Sequence, residues 1–197
     1  MRVPRVPRNR IVAKTGGETT VLHSRFAAET IATGVGAQTY GSWYATPTNS
    51  KDPASGIAAN YMEYRIDSVK LIYTPSCGTT TAGNIWFCFF DNAEMIDKVR
   101  SNYYGTSTAV LVAQTTAVQK GTQVWEQMEM NIPLTPRYKW FQINLENPTG
   151  IEEINRTIQG CCLWGTAGAP SSTTLGTVSL EYRVTFKGLQ NNLYSDI

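Results

Sequence analysis

Five cations, Arg2, Arg5, Arg8, Arg10 and Lys14, recur through the opening segment MRVPRVPRNRIVAK with no acid among them. Pro4 and Pro7, set in the repeat R-V-P-R-V-P-R, hold that segment extended and deny it a helix, so its guanidiniums project from solvated chain. The chemistry open to such an arm is charge pairing with a polyanion. A solubilising terminal tail is the other reading. Catalytic chemistry is poorly supplied by comparison. His23 is the only histidine and would have to serve alone in any imidazole mechanism, yet it falls in an alternating strand pattern that suits a structural or surface role. Gly34, Gly36 and Gly41 do not make G-x-G-x-x-G, and neither a phosphate-cradling G-x-x-x-x-G-K-[ST] loop nor a G-x-S-x-G elbow occurs. Glu152 and Glu153 are adjacent acids in N-P-T-G-I-E-E-I, which reads as a solvated turn rather than the separated carboxylates of a glycoside hydrolase. Cys77, Cys88, Cys161 and Cys162 lack C-x-x-C spacing, which argues against zinc. Cys88 in I-W-F-C-F-F and the pair before Leu163-Trp164 read as reduced, buried small hydrophobes. The sequon at Asn155 reads as chance in a chain with no signal peptide. The residues predict no enzyme.

The elements that must carry these groups are strands. Of 197 residues, 25 are Thr, 16 Gly and 9 Pro, and charged residues make up only 16%, a composition that excludes helical bundles and coiled coils. Global disorder is excluded by an apolar content of 42%. The net charge of +2 divides into an arm of +5 and a body with 12 basic and 15 acidic residues. No apolar run approaches the ~18 residues of a membrane span, so no membrane partner is expected. Runs rich in β-branched and aromatic residues, bounded by Gly, Pro, Asn or Thr, predict strands over 19–27, 39–44, 64–73, 84–90, 124–132, 138–145, 157–164 and 177–187. In the last of these Val178, Leu180, Tyr182, Val184 and Phe186 fall on one face and Ser179, Glu181, Arg183 and Thr185 on the other. Short helical turns are predicted at 57–62 and at 93–104, where Met95, Ile96 and Val99 keep helical spacing. The stretches 34–60 and 165–176 read as long polar surface loops. Eight strands with long connections and short helical insertions predict an all-β fold, an eight-stranded jelly-roll sandwich with a basic N-terminal arm. The arm is placed at 1–18 and the single body domain at 19–197. Tryptophans 43, 86, 125, 140 and 164 suit a core or a subunit interface, with Trp86 and Trp164 assigned to the core by their apolar neighbours.

Three segments in order, Y-M-E-Y-R-I-D-S-V-K-L-I-Y-T-P-S-C-G-T-T-T-A-G-N-I-W-F-C-F-F-D-N, V-W-E-Q-M-E-M-N-I and G-T-V-S-L-E-Y-R-V-T-F, resemble the shell domain of coat proteins from small icosahedral plant viruses of the sobemovirus and tombusvirus type. The shared pattern is a Tyr-rich opening, a strand closing on Y-T-P, a Thr-rich turn ending at Gly83 and a second strand that delivers Asp91. The resemblance spans roughly 19–192. It implies a capsid protein that self-assembles into an icosahedral homo-oligomer and packages the viral genome, single-stranded RNA in the expected case, through the arm cations Arg2, Arg5, Arg8, Arg10 and Lys14. It also implies residence in the virion, with assembly in the host cytoplasm. Such shells bind calcium between subunits through two acids three residues apart and an asparagine pair near the C-terminus. Asp91 and Glu94 match the acids and Asn191-Asn192 the pair, with Asp97 and Asp196 as possible additions. Glu stands where the family places Asp, and Leu193–Ile197 continue beyond the pair. Asp91 and Asn92 also suit the cap of a helix starting near Ala93, and the two roles are compatible. The arginines are sparser than in relatives, and no protruding second domain is expected. So short an arm leads to an expectation of about 60 copies in the simplest closed shell. The competing reading is a monomeric, lectin-like β-sandwich whose loops bind a small ligand.

Overall fold

The computed structural model describes residues 10–13, 19–34, 39–48, 52, 54–100, 118–134, 140–143 and 148–189. Its strands are β1 (Arg10–Ala13), β2 (Thr19–Ala32), β3 (Tyr40–Tyr44), β4 (Tyr61–Pro75), β5 (Asn84–Phe90), β6 (Val118–Gln123), β7 (Met128–Ile132), β8 (Phe141–Gln142), β9 (Cys161–Ala167) and β10 (Thr174–Leu189). Among the described residues, helices α1 (Ser55–Ala58), α2 (Ala93–Arg100) and α3 (Ile151–Thr157) lie in the connections. One sheet runs β1-β2-β10-β4-β7 with β8 also paired to β4, and the other runs β3-β9-β5-β6, every pairing antiparallel. The chain passes repeatedly from one sheet to the other, which is the jelly-roll path.

Alternation decides which residues enter the space between the sheets. In β10 Val178, Leu180, Tyr182, Val184 and Phe186 are all buried, as their spacing predicts. They meet Trp43, Phe87 and Trp164 from the opposite sheet and Tyr64, Leu71 and Tyr73 from β4 in one continuous core. A second apolar cluster lies on the outer side of the four-stranded sheet, where Cys88, Cys161 and Leu163 pack against Ala93, Ile96 and Val99 of α2 and Ile154 of α3. The four cysteines are free thiols, and burial pushes the Cys88 thiol up to about 12.

Of three register shifts, one falls at the start of β10 around Leu175, and the two within the long strands change which parity faces inward. The β2–β10 register shifts between Val178↔Glu29 and Ser179↔Ala27, so Ala28 is extra; Leu22 and Ser24 point inward before it, Ile31 and Thr33 after it. The β4–β10 register shifts between Arg183↔Ser68 and Val184↔Ile66, which leaves Asp67 extra and moves burial from Tyr64 and Ile66 to Val69, Leu71 and Tyr73. Gln159 repairs the ladder beside that bulge, accepting from the Ile66 N–H at 2.8 Å and donating to the Ile66 carbonyl at 2.9 Å.

Several sequence expectations are corrected. The run 124–132 is not one strand: a turn, closed by the Glu126 N–H to the Gln123 carbonyl at 3.0 Å, sends β6 into one sheet and β7 into the other. Val124 still points inward and stays buried, so the apolar alternation runs on through the turn and hides it. The expected strand start at 157 is the end of α3, whose Ile154 and neighbouring Ile158 pack one helical turn apart. Glu152 and Glu153 therefore occupy the first turn of a helix rather than a loop. Of 138–145, only Phe141–Gln142 pairs as strand among the described residues. The stretch 34–60 is not wholly superficial, because Trp43, Ala45, Asp52, Ala54 and Ala58 are buried. Trp43 joins Trp164 in the core, whereas Trp86 is only half-buried, over the outer cluster.

Candidate nucleic-acid and metal-binding surfaces

The arm residues Arg2, Arg5, Arg8 and Lys14 lie outside the described residues. Arg10 opens β1, whose backbone pairs with β2 and sets Arg10 opposite His23. β1 is thus an edge strand of the six-stranded sheet.

The solvent face of the same sheet is ionic because outward positions of four strands carry charges in facing registers. Lys187 Nζ meets Glu63 Oε2 at 3.3 Å, and Lys70 Nζ meets Glu129 Oε2 at 3.1 Å. Asp67, brought outward by its bulge, accepts from Arg65 Nε at 2.9 Å and from the Thr185 hydroxyl at 2.6 Å, and lies 3.5 Å from Arg183 Nε. Arg65 and Lys187 also stand over the Trp140 ring at 5.0 and 5.4 Å. Exposed pairs of this kind contribute about 0–1 kcal/mol each. Their effect is to keep the face hydrated and charged rather than to hold the fold.

The expected metal ligands divide. Asp91 and Glu94 are exposed at the start of α2, with Asp97 further along the helix, while Asn191, Asn192 and Asp196 lie outside the described residues. The capping role falls to Asn92, whose Oδ1 accepts the Met95 N–H at 3.1 Å and satisfies one of the donors that a helix start leaves open. Glu94 suits the positive end of the helix dipole, and Lys98 and Arg100 suit the other end. Both carboxylates are hard oxygen donors of the kind calcium takes. Among the described residues of one chain, no group of three or more acidic, histidine or cysteine side chains converges on a metal position.

Sequence reasoning missed Asp52. It is 2% exposed, with Oδ1 accepting the Ala54 N–H at 2.9 Å and Oδ2 the Tyr182 hydroxyl. Burial outweighs both hydrogen bonds and pushes its carboxyl up to about 6. No local signal marks it, since Lys51-Asp52-Pro53 reads as a surface turn and its partner Tyr182 lies 130 residues away.

Two antiparallel sheets in jelly-roll order, one with an ionic solvent face and the other covered by helices, define an all-β jelly-roll sandwich. The chain matches the viral coat protein (S domain) family over residues 1–192 and belongs to it. No curated protein sequence matches it. Its fold is similar to a tobacco necrosis virus chain, with TM-score 0.78 and 18% identity over 96% of this chain and 90% of that one. A chain of Melon necrotic spot virus aligns with TM-score 0.76 and 18% identity over 96% of this chain and 55% of that longer one. Cocksfoot mottle virus gives TM-score 0.68 and 15% identity over 85% and 93%. The protein is a non-enzymatic capsid subunit that self-assembles into the oligomeric shell of the virion. The lectin-like alternative lapses.

Proposed function

We propose that this coat protein packages single-stranded RNA through Arg2, Arg5, Arg8, Arg10 and Lys14, and that calcium bridges its subunits through Asp91 and Glu94. The observation that supports the first part is the place of Arg10 at the start of β1, the edge strand of a sheet whose solvent face is already ionic. Guanidiniums on extended chain release counterions from phosphate without reading bases, so packaging is sequence-independent and steeply salt-sensitive. Asp91 and Glu94, exposed together at one helix start, supply part of a calcium shell. The ~6–8 oxygens that calcium takes must then be completed across a subunit boundary, with Asn191 and Asn192 as the pair the neighbour or the same chain contributes. The shell is the simplest closed one, of about 60 copies, assembled in the host cytoplasm.

Replacing all five arm cations by Ala is the test. Particles of equal yield should carry markedly less nucleic acid, read from absorbance at 260 and 280 nm and from extracted RNA. Unchanged nucleic acid content overturns the arm's role. A particle diameter that demands three times as many subunits overturns the copy number.

A further inference from the structure

The outer face of the six-stranded sheet holds a depression of about 150 Å³ lined by His23, Ser68, Lys70, Asn131, Glu181 and Arg183. Its shape follows from register. Arg183 faces His23 on one side and Ser68 on the other, so one row across the sheet reads Arg10, His23, Arg183, Ser68. Ser68 is small and follows the Asp67 bulge, which leaves a gap where a larger side chain would fill the pleat. The next row along reads Arg25, Glu181, Lys70, Asn131. Glu181 is therefore flanked by a cation on each side. At a strand spacing of roughly 4.8 Å, the first row carries polar and cationic positions about 14 Å inward from the edge strand.

We propose that this depression is a phosphodiester-binding site on the folded body, with Arg183 and Lys70 as its charges and His23 and Asn131 as its hydrogen-bonding groups. The proposal rests on the reading that the arm engages nucleic acid. Arg183 meets Asp67 through Nε at 3.5 Å, and a guanidinium carries five N–H donors, so its remaining edge can serve a phosphate. Lys70 pairs with Glu129 at 3.1 Å in an exposed bridge of the weak, salt-screened kind that a phosphate displaces. Charge, hydrogen-bond donors and a concavity thus coincide on the face whose edge strand opens with Arg10. The acids on the same face, Glu181, Asp67 and Glu129, limit occupancy to a single phosphate rather than a continuous backbone.

The test uses the full chain and labelled oligouridylate, with binding measured across a salt series. Each neutralised phosphate contributes about 0.7 to the slope of log K against log salt, so Lys70→Gln/Arg183→Gln with an intact arm should lower the slope by about 0.7, the share of the one phosphate that both cations hold. Oligothymidylate should lose as much, because phosphate and not sugar is read. Wild-type chain carrying 4-thiouridine-substituted oligouridylate should give photo-adducts on the peptides that contain His23 or Arg183, a readout independent of how the double variant folds. An unchanged slope, or adducts confined to residues 1–18, overturns the body site and leaves the arm reading intact. If the five-Ala arm variant also keeps the full slope, the packaging reading itself is what fails.

Discussion

Asp52→Asn isolates the cost of a buried acid. The Asp52 carboxyl ionises at about 6 in the fold and near 3.9 in an unfolded chain. The folded state therefore binds the proton more tightly. The stability this contributes is fully present below about pH 4 and is lost as pH rises through about 6. With 1.36 kcal/mol per pH unit, the loss amounts to about 3 kcal/mol, a sizeable share of the ~5–15 kcal/mol that holds an ordinary domain. The amide of the variant keeps an acceptor for the Ala54 N–H and a polar partner for Tyr182 but has no charge to bury. Urea unfolding of both proteins at a series of pH values should show the wild type losing about 3 kcal/mol relative to the Asp52→Asn variant between about pH 4 and 7. A difference that stays flat across that range, or grows in favour of wild type, shows that Asp52 ionises as it would in water and refutes the burial argument.

Gln159→Ala should cost about 2–6 kcal/mol, since it strands the buried N–H and carbonyl of Ile66 at about 1–3 kcal/mol each; the urea midpoint reads it, and Gln159→Glu should fail to rescue because an ionised carboxylate cannot donate to the carbonyl. Gly41→Ala should destabilise by about 1–3 kcal/mol, because a Cβ there would strike Glu29 Oε2 and come within 2.5 Å of Trp164 Nε1. That collision pries apart the 2.8 Å bond from the Trp164 indole to Glu29, so altered Trp164 fluorescence should accompany the lowered melting temperature.

Those residues also mark where the sequence stops being legible. The alternation of β10 and the apolar run of β5 declare their faces because every second residue, or nearly every residue, is buried. The strand expected over 19–27 falls short of the true end of β2 at Ala32 because the Ala28 bulge breaks strict alternation, and a bulge is fixed by the partner strand rather than by the strand itself. The β6–β7 turn is invisible for the opposite reason, since Val124, Met128, Met130 and Ile132 are all buried across a reversal that contains neither Gly nor Pro. Gln159 and Asp52 read as ordinary polar residues, and their roles come from Ile66 and Tyr182, 93 and 130 residues distant. Among the candidate ligands, position in the sequence places Asp91 and Glu94 at the start of α2, while the identity of the cap, Asn92 rather than Asp91 in the described hydrogen bond, needs geometry.

The two faces of the sandwich are built for different work, and this makes the proposed RNA and calcium roles separable. The four-stranded sheet has an apolar outer face that α2 and α3 cover, with the Arg100 guanidinium tying α2 to the Pro148 carbonyl at 2.7 Å ahead of α3. Asp91 and Glu94 ride on that helical layer. Arg10, the arm cation the structure describes, opens β1 at the edge of the other sheet. Packed sheets stand about 10 Å apart, and side chains separated by that much with no shared partner act additively within about 0.5 kcal/mol. Asp91→Asn/Glu94→Gln particles should therefore lose their response to chelator and added calcium, read as sedimentation and melting temperature, while keeping wild-type nucleic acid content. The five-Ala arm variant should do the reverse. Combining them should give the sum of the two melting shifts. Chelator sensitivity that vanishes with the arm cations alone would show that calcium acts through the packaged nucleic acid and not through the α2 carboxylates.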